Sequence, residues 1–301
     1  MIRITDAGLR STIQDRGRLA HLRSGLPPAG AADPFALAAA NALVGNAEDA
    51  AGIEIIGTVF RFTCDDSRVV AVAGRDVSVG TRSRLPGWSS VFVRAGQTAT
   101  VYSGEHTRFA YLAVSGGIAT DPVLGSRSSY LPAGIGAALR AGDALPLGDT
   151  EAGAEDAARR IQPTAYDDRV RAMPGPHDDR FESDVSARFF GEAFVVQPAS
   201  DRQGVRLGGV PMAPRAGELL SCGVVAGAVQ VPHGGAPIVL LADHGTTGGY
   251  PVIATVIAAD IGKVAQRMPG ESLRFYRVER DEALDALRTE RRALDGARVR
   301  A

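Results

Sequence analysis

The chain has 301 residues, a formal net charge of −1, 45% hydrophobic and 22% charged residues. That balance gives no electrostatic reason to expect nucleic acid or an anionic membrane as partner, and the length suffices for two hydrophobic cores. No window approaches the roughly 18 apolar residues of a membrane span, and the charged opening MIRITDAGLRSTIQDRGR is no signal peptide, so a cytoplasmic protein is expected.

Along the chain, STIQDRGR first gathers Gln14, Asp15, Arg16 and Arg18 within five residues. A helix is expected over 33–45. Asp33 would be its N-cap, Pro34 its first turn, Phe35, Leu37, Leu43 and Val44 its apolar set, and Gly45–Asn46 its stop. Strands then dominate. VFRFTC (59–64) alternates Phe60, Phe62 and Cys64 against Arg61 and Thr63. RVVAVAG, SSVFV and RFAYLAVSGG are further short β-branched or aromatic runs. After LGSRSSYLPAGIG, which carries Ser126, Arg127, Ser128 and Tyr130, the charged, alanine-rich stretch 149–168 reads as a linker. AFVVQP, AVQVP, PIVLLAD and SLRFYRV then supply strands of a second lobe. DIGKVAQRM reads as a helix capped by Asp260, with Ile261, Val264, Ala265 and Met268 on one face, and 281–301 as a charged amphipathic helical tail. The expected fold is mainly β with a few helices, in two β lobes at 1–148 and 169–280.

One turn pattern recurs at 94 (RAGQ), 140 (RAGD), 215 (RAGE) and 268 (MPGE), each followed by an extended run. Glycine supplies a positive φ at little cost, so the pattern is a credible repeated turn, and two copies in each half suggest duplicated lobes. QDRGR and SDRQGVR, one in each half, also resemble each other. Cys64 and Cys222 read as buried free thiols. Two cysteines cannot form a structural zinc site alone and the histidines lack metal spacing, so no metal is expected.

Two strongly apolar runs are separated by an unbroken row of Asp243, His244, Gly245, Thr246, Thr247, Gly248, Gly249, Tyr250 and Pro251. A hairpin needs about two to five residues. Glycines let backbone approach a ligand, Thr246 and Thr247 add donors, and Asp243 and His244 could move protons or orient a carbonyl. The alternative is a long connection that satisfies its own backbone. Ser200, Asp201, Arg202, Gln203 and Arg206 form a third polar cluster. Arginine beside Asp and Ser in glycine-bounded loops suits a carboxylate or carbonyl-rich ligand, or equally an internal ion pair. No phosphate loop, dinucleotide fingerprint or nucleophile elbow is present. The one lysine, Lys263, lacks the flanking methionines of a biotin-carrying lysine.

These segments resemble, in order, the biotin-dependent carboxyltransferase family, which includes allophanate hydrolase subunit 2, KipA-type proteins and the C subunits of 5-oxoprolinases. The motifs are STIQDRGR, GLPPAGAADPFALAAANALVGN, YLAVSGGI, PVLGSRSSYLPAGIG, MPGP, SDRQGVRL, GAVQVPHGGAPIVLLADHGTTGGYPVIATVIAADI and PGESLRF. The resemblance implies two cyclophilin-like β-barrel lobes. It also implies two partners, one KipI-like and one of the LamB/YcsF type, in opening the lactam of 5-oxoproline to L-glutamate. ATP would be used by the complex, with no cofactor bound by this chain; biotin enters only in the alternative, a urea carboxylase-type carboxyltransferase. A third possibility is a KipA-like, non-enzymatic antagonist of a KipI-type kinase inhibitor.

An amide carbonyl must be held by donors while charge moves onto its oxygen. Asp201, Arg202, Asp243 and His244 are therefore the expected catalytic residues. Gln14, Asp15, Arg18, Ser126, Arg127, Ser200, Arg206, Thr246, Thr247, Gly248, Gly249 and Tyr250 are the expected substrate-binding set. The chain departs from the family pattern at Gln203, Val205, Gly234, Ala236, Gly245 and Val252, which removes or moves several polar groups.

Overall fold

A computed structural model describes residues 1–217 and 219–298. The chain divides into two compact units: Met1–Arg18 with Ala29–Thr164 and the chain from Glu290, and Leu19–Pro28 with Ala165–Thr289. The fold is mainly β, with four α-helices among the described residues.

The strands of the first unit are β1 (Ile2–Asp6), β2 (Arg10–Gln14), β3 (Gly52–Ile56), β4 (Val59–Cys64), β5 (Arg68–Gly74), β6 (Val77–Gly80), β7 (Arg84–Pro86), β8 (Ser89–Val93), β9 (Ala99–Ser103), β10 (Ala110–Val114) and β11 (Ala144–Leu145). They pair as two antiparallel sheets, β11-β1-β4-β9-β6-β7 and β2-β3-β10-β5-β8. Alternating side chains such as Ile2, Ile4, Phe60 and Phe62 from one sheet meet Ile53, Val70, Val72 and Leu112 from the other in one core. The expected barrel is therefore open here. Loops occupy the edges that closure would need: Ser129 and Leu139 donate backbone N–H groups to Ile13 and Ser11 of β2. Along β8, Ser90 exchanges backbone hydrogen bonds with Ala158 and Arg159. Covering an edge this way removes unpaired backbone groups as effectively as another strand would.

Helix α1 (Pro34–Leu43) begins as its residues dictate: the Asp33 carboxylate accepts the Ala36 N–H at 3.2 Å and Pro34 occupies the first turn. It ends at Gly45, whose φ of 78° is left-handed. Alanines dominate its buried face, so it lies close to the five-stranded sheet. Gly52 of that sheet has no room for a Cβ, which would fall 2.8 Å from both Leu37 Cδ1 and the Leu112 carbonyl oxygen.

The second unit holds β12 (Arg169–Pro174), β13 (Ala193–Val196), β14 (Gly204–Gly208), β15 (Cys222–Gly223), β16 (Ala228–Gln230), β17 (Ile238–Leu240), β18 (Thr247–Gly248), β19 (Val252–Val256) and β20 (Ser272–Arg277). Seven of these close a barrel in the order β12-β19-β16-β17-β14-β13-β20, sealed by the parallel pair of β12 and β20. Helix α2 (Ser183–Phe189) brings Phe189 against it, stacked on Phe275 at 4.5 Å between ring centroids and 16° between planes.

Helix α3 (Ile261–Ala265) is shorter than the expected 260–268. Asp260 does not cap it through its side chain. Its carboxylate is fully buried and instead receives the Arg171 backbone N–H at 2.7 Å and the Arg171 guanidinium at 2.7 and 3.0 Å. A buried charge takes the partner that neutralises it over one that merely caps a helix. Helix α4 (Arg280–Arg298) forms the tail, with Ala286, Leu294 and Ala297 buried; residues 299–301 of the expected tail lie outside the described residues. Cys64 is buried, which pushes its thiol up to about 11, but Cys222 is only half-buried, because it lies on a two-stranded ribbon outside the barrel.

The repeated turn is real at the level of geometry. Gly96, Gly142, Gly217 and Gly270 have φ of 69°, 97°, 140° and 90°. In the three turns described throughout, the fourth residue (Gln97, Asp143 or Glu271) donates its N–H to the first residue's carbonyl. Its side chain then accepts that first residue's N–H at 2.7–3.0 Å. The glycine N–H reaches across to Cys64, Ile4 or Val196. Each turn thus needs glycine in the left-handed region and an acceptor one residue later. A Cβ on Gly96 would meet nothing within 4 Å, so Gly96→Ala carries backbone strain alone, about 1–2 kcal/mol. Urea midpoints should show that loss for Gly96→Ala, and a change within about 0.5 kcal/mol for Gly223→Ala, which has an equally open site without a left-handed backbone.

Candidate functional site

The expected site residues fall into two groups, one in each unit. In the first, Asp15 follows β2 and is 8% exposed. Its Oδ1 accepts the Ser126 hydroxyl at 2.6 Å, the Ser128 hydroxyl and the Gly17 N–H at 2.8 Å, and its Oδ2 accepts the Arg127 N–H at 2.6 Å. Burial works against the charged form, but the two hydroxyls and two backbone donors outweigh it and hold this carboxyl below its ordinary value. Arg18 is 2% exposed and donates to the carbonyls of Val123, Ser126 and Ser128. The Arg127 guanidinium turns to the Thr120 carbonyl at 2.6 Å. Gln14 donates to Thr12 Oγ1 at 3.0 Å and to the Ser129 carbonyl at 3.2 Å. Sequence reasoning brought these residues together correctly, but most of their donors and acceptors are aimed at one another. The cluster is a clasp that ties the 14–18 loop to the 126–129 loop.

In the second unit, the ladder between β14 and β17 runs past the strand ends, with Leu241 donating to Gln203 and Asp243 to Arg202. That register sets Arg202 against Asp243 in a two-pronged ion pair, Nε to Oδ2 and Nη2 to Oδ1, both at 2.9 Å. Both residues are more than nine-tenths buried. His244 is 2% exposed, with Nδ1 2.6 Å from the Gly245 carbonyl oxygen. Because a carbonyl oxygen only accepts, Nδ1 carries a proton in this contact. Asp201 is exposed, and its carboxylate accepts the N–H groups of Gln203 and Gly204 at 2.8 and 3.2 Å, closing the turn it begins. Ser200 brackets the same turn through Gln197 and the Arg206 N–H.

The long loop after β17 is not one irregular connection. Thr247 and Gly248 pair with Gly223 and Cys222 as a two-stranded ribbon, and Thr246 accepts from Val224. Thr247, Gly249 and Tyr250 are exposed and Thr246 and Gly248 half-buried. None of Gly245, Gly248 and Gly249 uses a left-handed backbone. A Cβ at Gly249 would meet Ser221 Oγ at 3.3 Å, whereas at Gly248 it would fall 2.2 Å from Gln230 Nε2. Gln230, on β16, is the neighbour that sequence reasoning missed; AVQVP read only as a strand.

Of the departures from the family pattern, Val205 and Val252 are core residues at 0% and 3% exposure, and Gln203, Gly234, Ala236 and Gly245 are exposed. Among the described residues, no group of three or more His, Cys, Asp or Glu side chains could hold a metal ion, and no helix is long and apolar enough to cross a membrane.

Residues 24–277 match the model of the carboxyltransferase domain, subdomain A and B. The chain is 37% identical to the 5-oxoprolinase C subunit of Escherichia coli, covering 97% of this chain and 96% of that protein. It is 36% identical to the 5-oxoprolinase C subunit of Haemophilus influenzae, covering 99% and 98%. The crystal structure of the Kluyveromyces lactis urea amidolyase superposes over 98% of this chain with a TM-score of 0.86 at 26% identity, and this chain spans 20% of it. Other solved relatives, 32% identical with a TM-score of 0.81, are longer proteins of which the chain spans 55%. The chain belongs to the carboxyltransferase subdomain A and B family and is a homologue of the 5-oxoprolinase C subunits.

Arg202→Ala leaves the Asp243 carboxylate buried without its guanidinium and is expected to cost about 3–5 kcal/mol of folding stability. Asp201→Ala, which loses only an exposed turn cap, should cost about 1 kcal/mol; urea denaturation ranks the two. Asp15→Asn should cost about 1–3 kcal/mol near neutral pH. Since the folded-state value of Asp15 is depressed, its contribution is present above the ordinary carboxylate value and lost as pH falls through the depressed one. Stability measured against pH should therefore show wild type and Asp15→Asn converging in acid.

Proposed function

From that membership we propose that the chain is the C component of an ATP-dependent 5-oxoprolinase-type complex that opens the lactam of 5-oxoproline to L-glutamate. The observation that carries the reading is 36–37% identity to two 5-oxoprolinase C subunits, over nearly the whole length of both partners in each alignment. In the reaction, water adds at the lactam carbonyl carbon and the ring C–N bond breaks. The nitrogen keeps the electron pair and takes up protons to become the amino group of glutamate, while a second water is consumed as ATP goes to ADP and phosphate. The sequence has no phosphate loop, so ATP is used by the complex through another nucleotide-binding mode or through the other components, a KipI-like partner and a LamB/YcsF-type partner, in a cytoplasmic assembly. The closed barrel of the second unit corresponds in this reading to one of the two cyclophilin-like lobes.

Within this chain the 243–250 loop is the surface offered to substrate. It combines the exposed side chains of Thr247 and Tyr250 with the glycine backbone of 245, 248 and 249. The Arg202–Asp243 pair fixes where the loop starts, and His244 is buried next to it. Asp15, Arg18, Ser126 and Arg127 shape the first unit's loops, and Ser200 and Asp201 hold the turn that presents Arg206. A second reading, a carboxyltransferase acting with carboxybiotin, is favoured by the urea amidolyase fold match. It rests on lower identity and on a fifth of that protein's length.

The purified chain alone should show no 5-oxoproline-dependent ATP hydrolysis and should gain it when its KipI-like and LamB/YcsF-type partners are added; turnover by the chain alone would sink the reading. Because Gly249 has an ordinary backbone and only Ser221 near its Cβ position, Gly249→Val should fold and co-purify with the KipI-like partner. Its turnover should fall at least tenfold, about 1.4 kcal/mol. Full activity in that variant would remove the loop from the site.

A further inference from the structure

Gln230 is the last residue of β16, at the barrel end that faces the ribbon of β15 and β18. It is 7% exposed, and its Nε2 has no hydrogen-bond partner. Leaving a buried amide donor unmet costs about 1–3 kcal/mol, and nearly all buried polar groups avoid that cost. Two local features maintain the arrangement. The ladder between β16 and β19 shifts register at this point, Val229 facing Ala254 but Gln230 facing Val252. Such a bulge re-aims a side chain at a barrel rim. Across from it stands Gly248, the position where a Cβ would fall 2.2 Å from Nε2 and 3.4 Å from Oε1. Gly248 has no left-handed backbone to require glycine; its small size is explained by the amide beside it. The ribbon that covers it is short: its register pairs are Cys222–Gly248 and Gly223–Thr247, extended by the Val224 N–H to the Thr246 carbonyl.

We propose that the Gln230 side-chain amide is a substrate-binding donor that meets a carbonyl or carboxylate oxygen of the substrate admitted beside Gly248. The proposal rests on the reading of the 243–250 loop as the surface offered to substrate and adds a buried amide donor to the loop's exposed hydroxyls. Opening a lactam places charge on the carbonyl oxygen, and a donor already stripped of water and partners pays no further desolvation to stabilise it. Glycine at 248 then serves as the gate width.

The test compares Gln230→Met, which keeps length and volume, with wild type in the assembled complex and in the chain alone. A ligand-binding role predicts an unchanged or raised melting temperature, intact assembly and at least a tenfold loss of kcat/KM for 5-oxoproline. A Gln230→Met chain that melts lower, with activity falling in proportion, would show a structural amide held by trapped water and overturn the proposal. Full activity would overturn it equally. Gly248→Ala should reproduce the kinetic loss by displacing the amide, and Gln230→Met with Gly248→Ala should be no worse than the poorer single variant. Additive losses would speak against a shared role. Should the wild-type complex not turn over 5-oxoproline, the lactam reading fails by itself. Gln230 is then judged by direct binding of 5-oxoproline, 2-pyrrolidinone and urea to the wild-type and Gln230→Met chains. At least tenfold weaker binding to the variant supports the donor; equal binding, or binding of none of the three, overturns it.

Discussion

A carboxylate taken out of water must be met by donors or it costs several kcal/mol, and that requirement organises the loops of this protein. Asp15, Asp33, Glu54, Asp156, Asp243 and Asp260 are all more than nine-tenths buried. Each is answered by groups that fix a particular piece of chain. Asp15 draws in Ser126, Arg127 and Ser128 from over a hundred residues away. Glu54 accepts from the Tyr111 hydroxyl and the Ala32 N–H, both within 3.0 Å, and so sets the approach to α1. Asp243 takes Arg202, and Asp260 takes Arg171. Strand pairing brings these segments near one another; the charges decide how the loops between strands lie.

The same requirement separates scaffold from site. Arg202 and Asp243 are expected from the sequence to be catalytic and Asp15, Arg18 and Ser126 to bind substrate, yet Arg202 pairs with Asp243, Asp15 with Ser126, and Arg18 with backbone carbonyls. A group committed to a buried ion pair cannot also carry a proton through a reaction without breaking that pair, at a cost of several kcal/mol. The reading proposed above turns instead to a less conspicuous set: the exposed threonine and tyrosine of the 247–250 stretch and the Gln230 amide, whose Nε2 has no partner.

Local features were legible in the sequence and closure was not. VFRFTC, RVVAVAG and SSVFV are strands at the expected residues, because period-two alternation and β-branching act within the strand itself. The four turn glycines show the required positive φ for the same local reason. Whether strands close into a barrel depends on which edges meet, and in the first unit the 129–139 and 158–161 segments occupy those edges. No periodicity encodes that. Asp260 illustrates the same limit on a smaller scale: at the start of a helical run it reads as a cap, but Arg171, eighty-nine residues away, claims it. Gln230 was invisible because an unmet donor is a property of its surroundings, and AVQVP looks the same whether its amide is paired or not.

The departures from the family pattern divide along the same line between scaffold and surface. Val205 and Val252 lie inside the barrel wall, and Val252 packs in one cluster with Val224, Ala228 and Leu240. The lysine that the family pattern often has at 252 would have to leave that cluster or carry its ammonium into apolar surroundings, so the valine goes with the way this barrel is filled. Gln203, Gly234, Ala236 and Gly245 are exposed, and Gly245 lies in the 243–250 loop while Gln203 follows the Arg202 that anchors it. Where the family pattern often has a glutamine, Gly245 takes a side-chain amide from the loop's surface and leaves the Gly248–Gln230 contact intact. Under the proposal for Gln230, the donor then lies in the barrel wall, where a hydrogen bond to a developing negative charge is stronger than at an exposed rim.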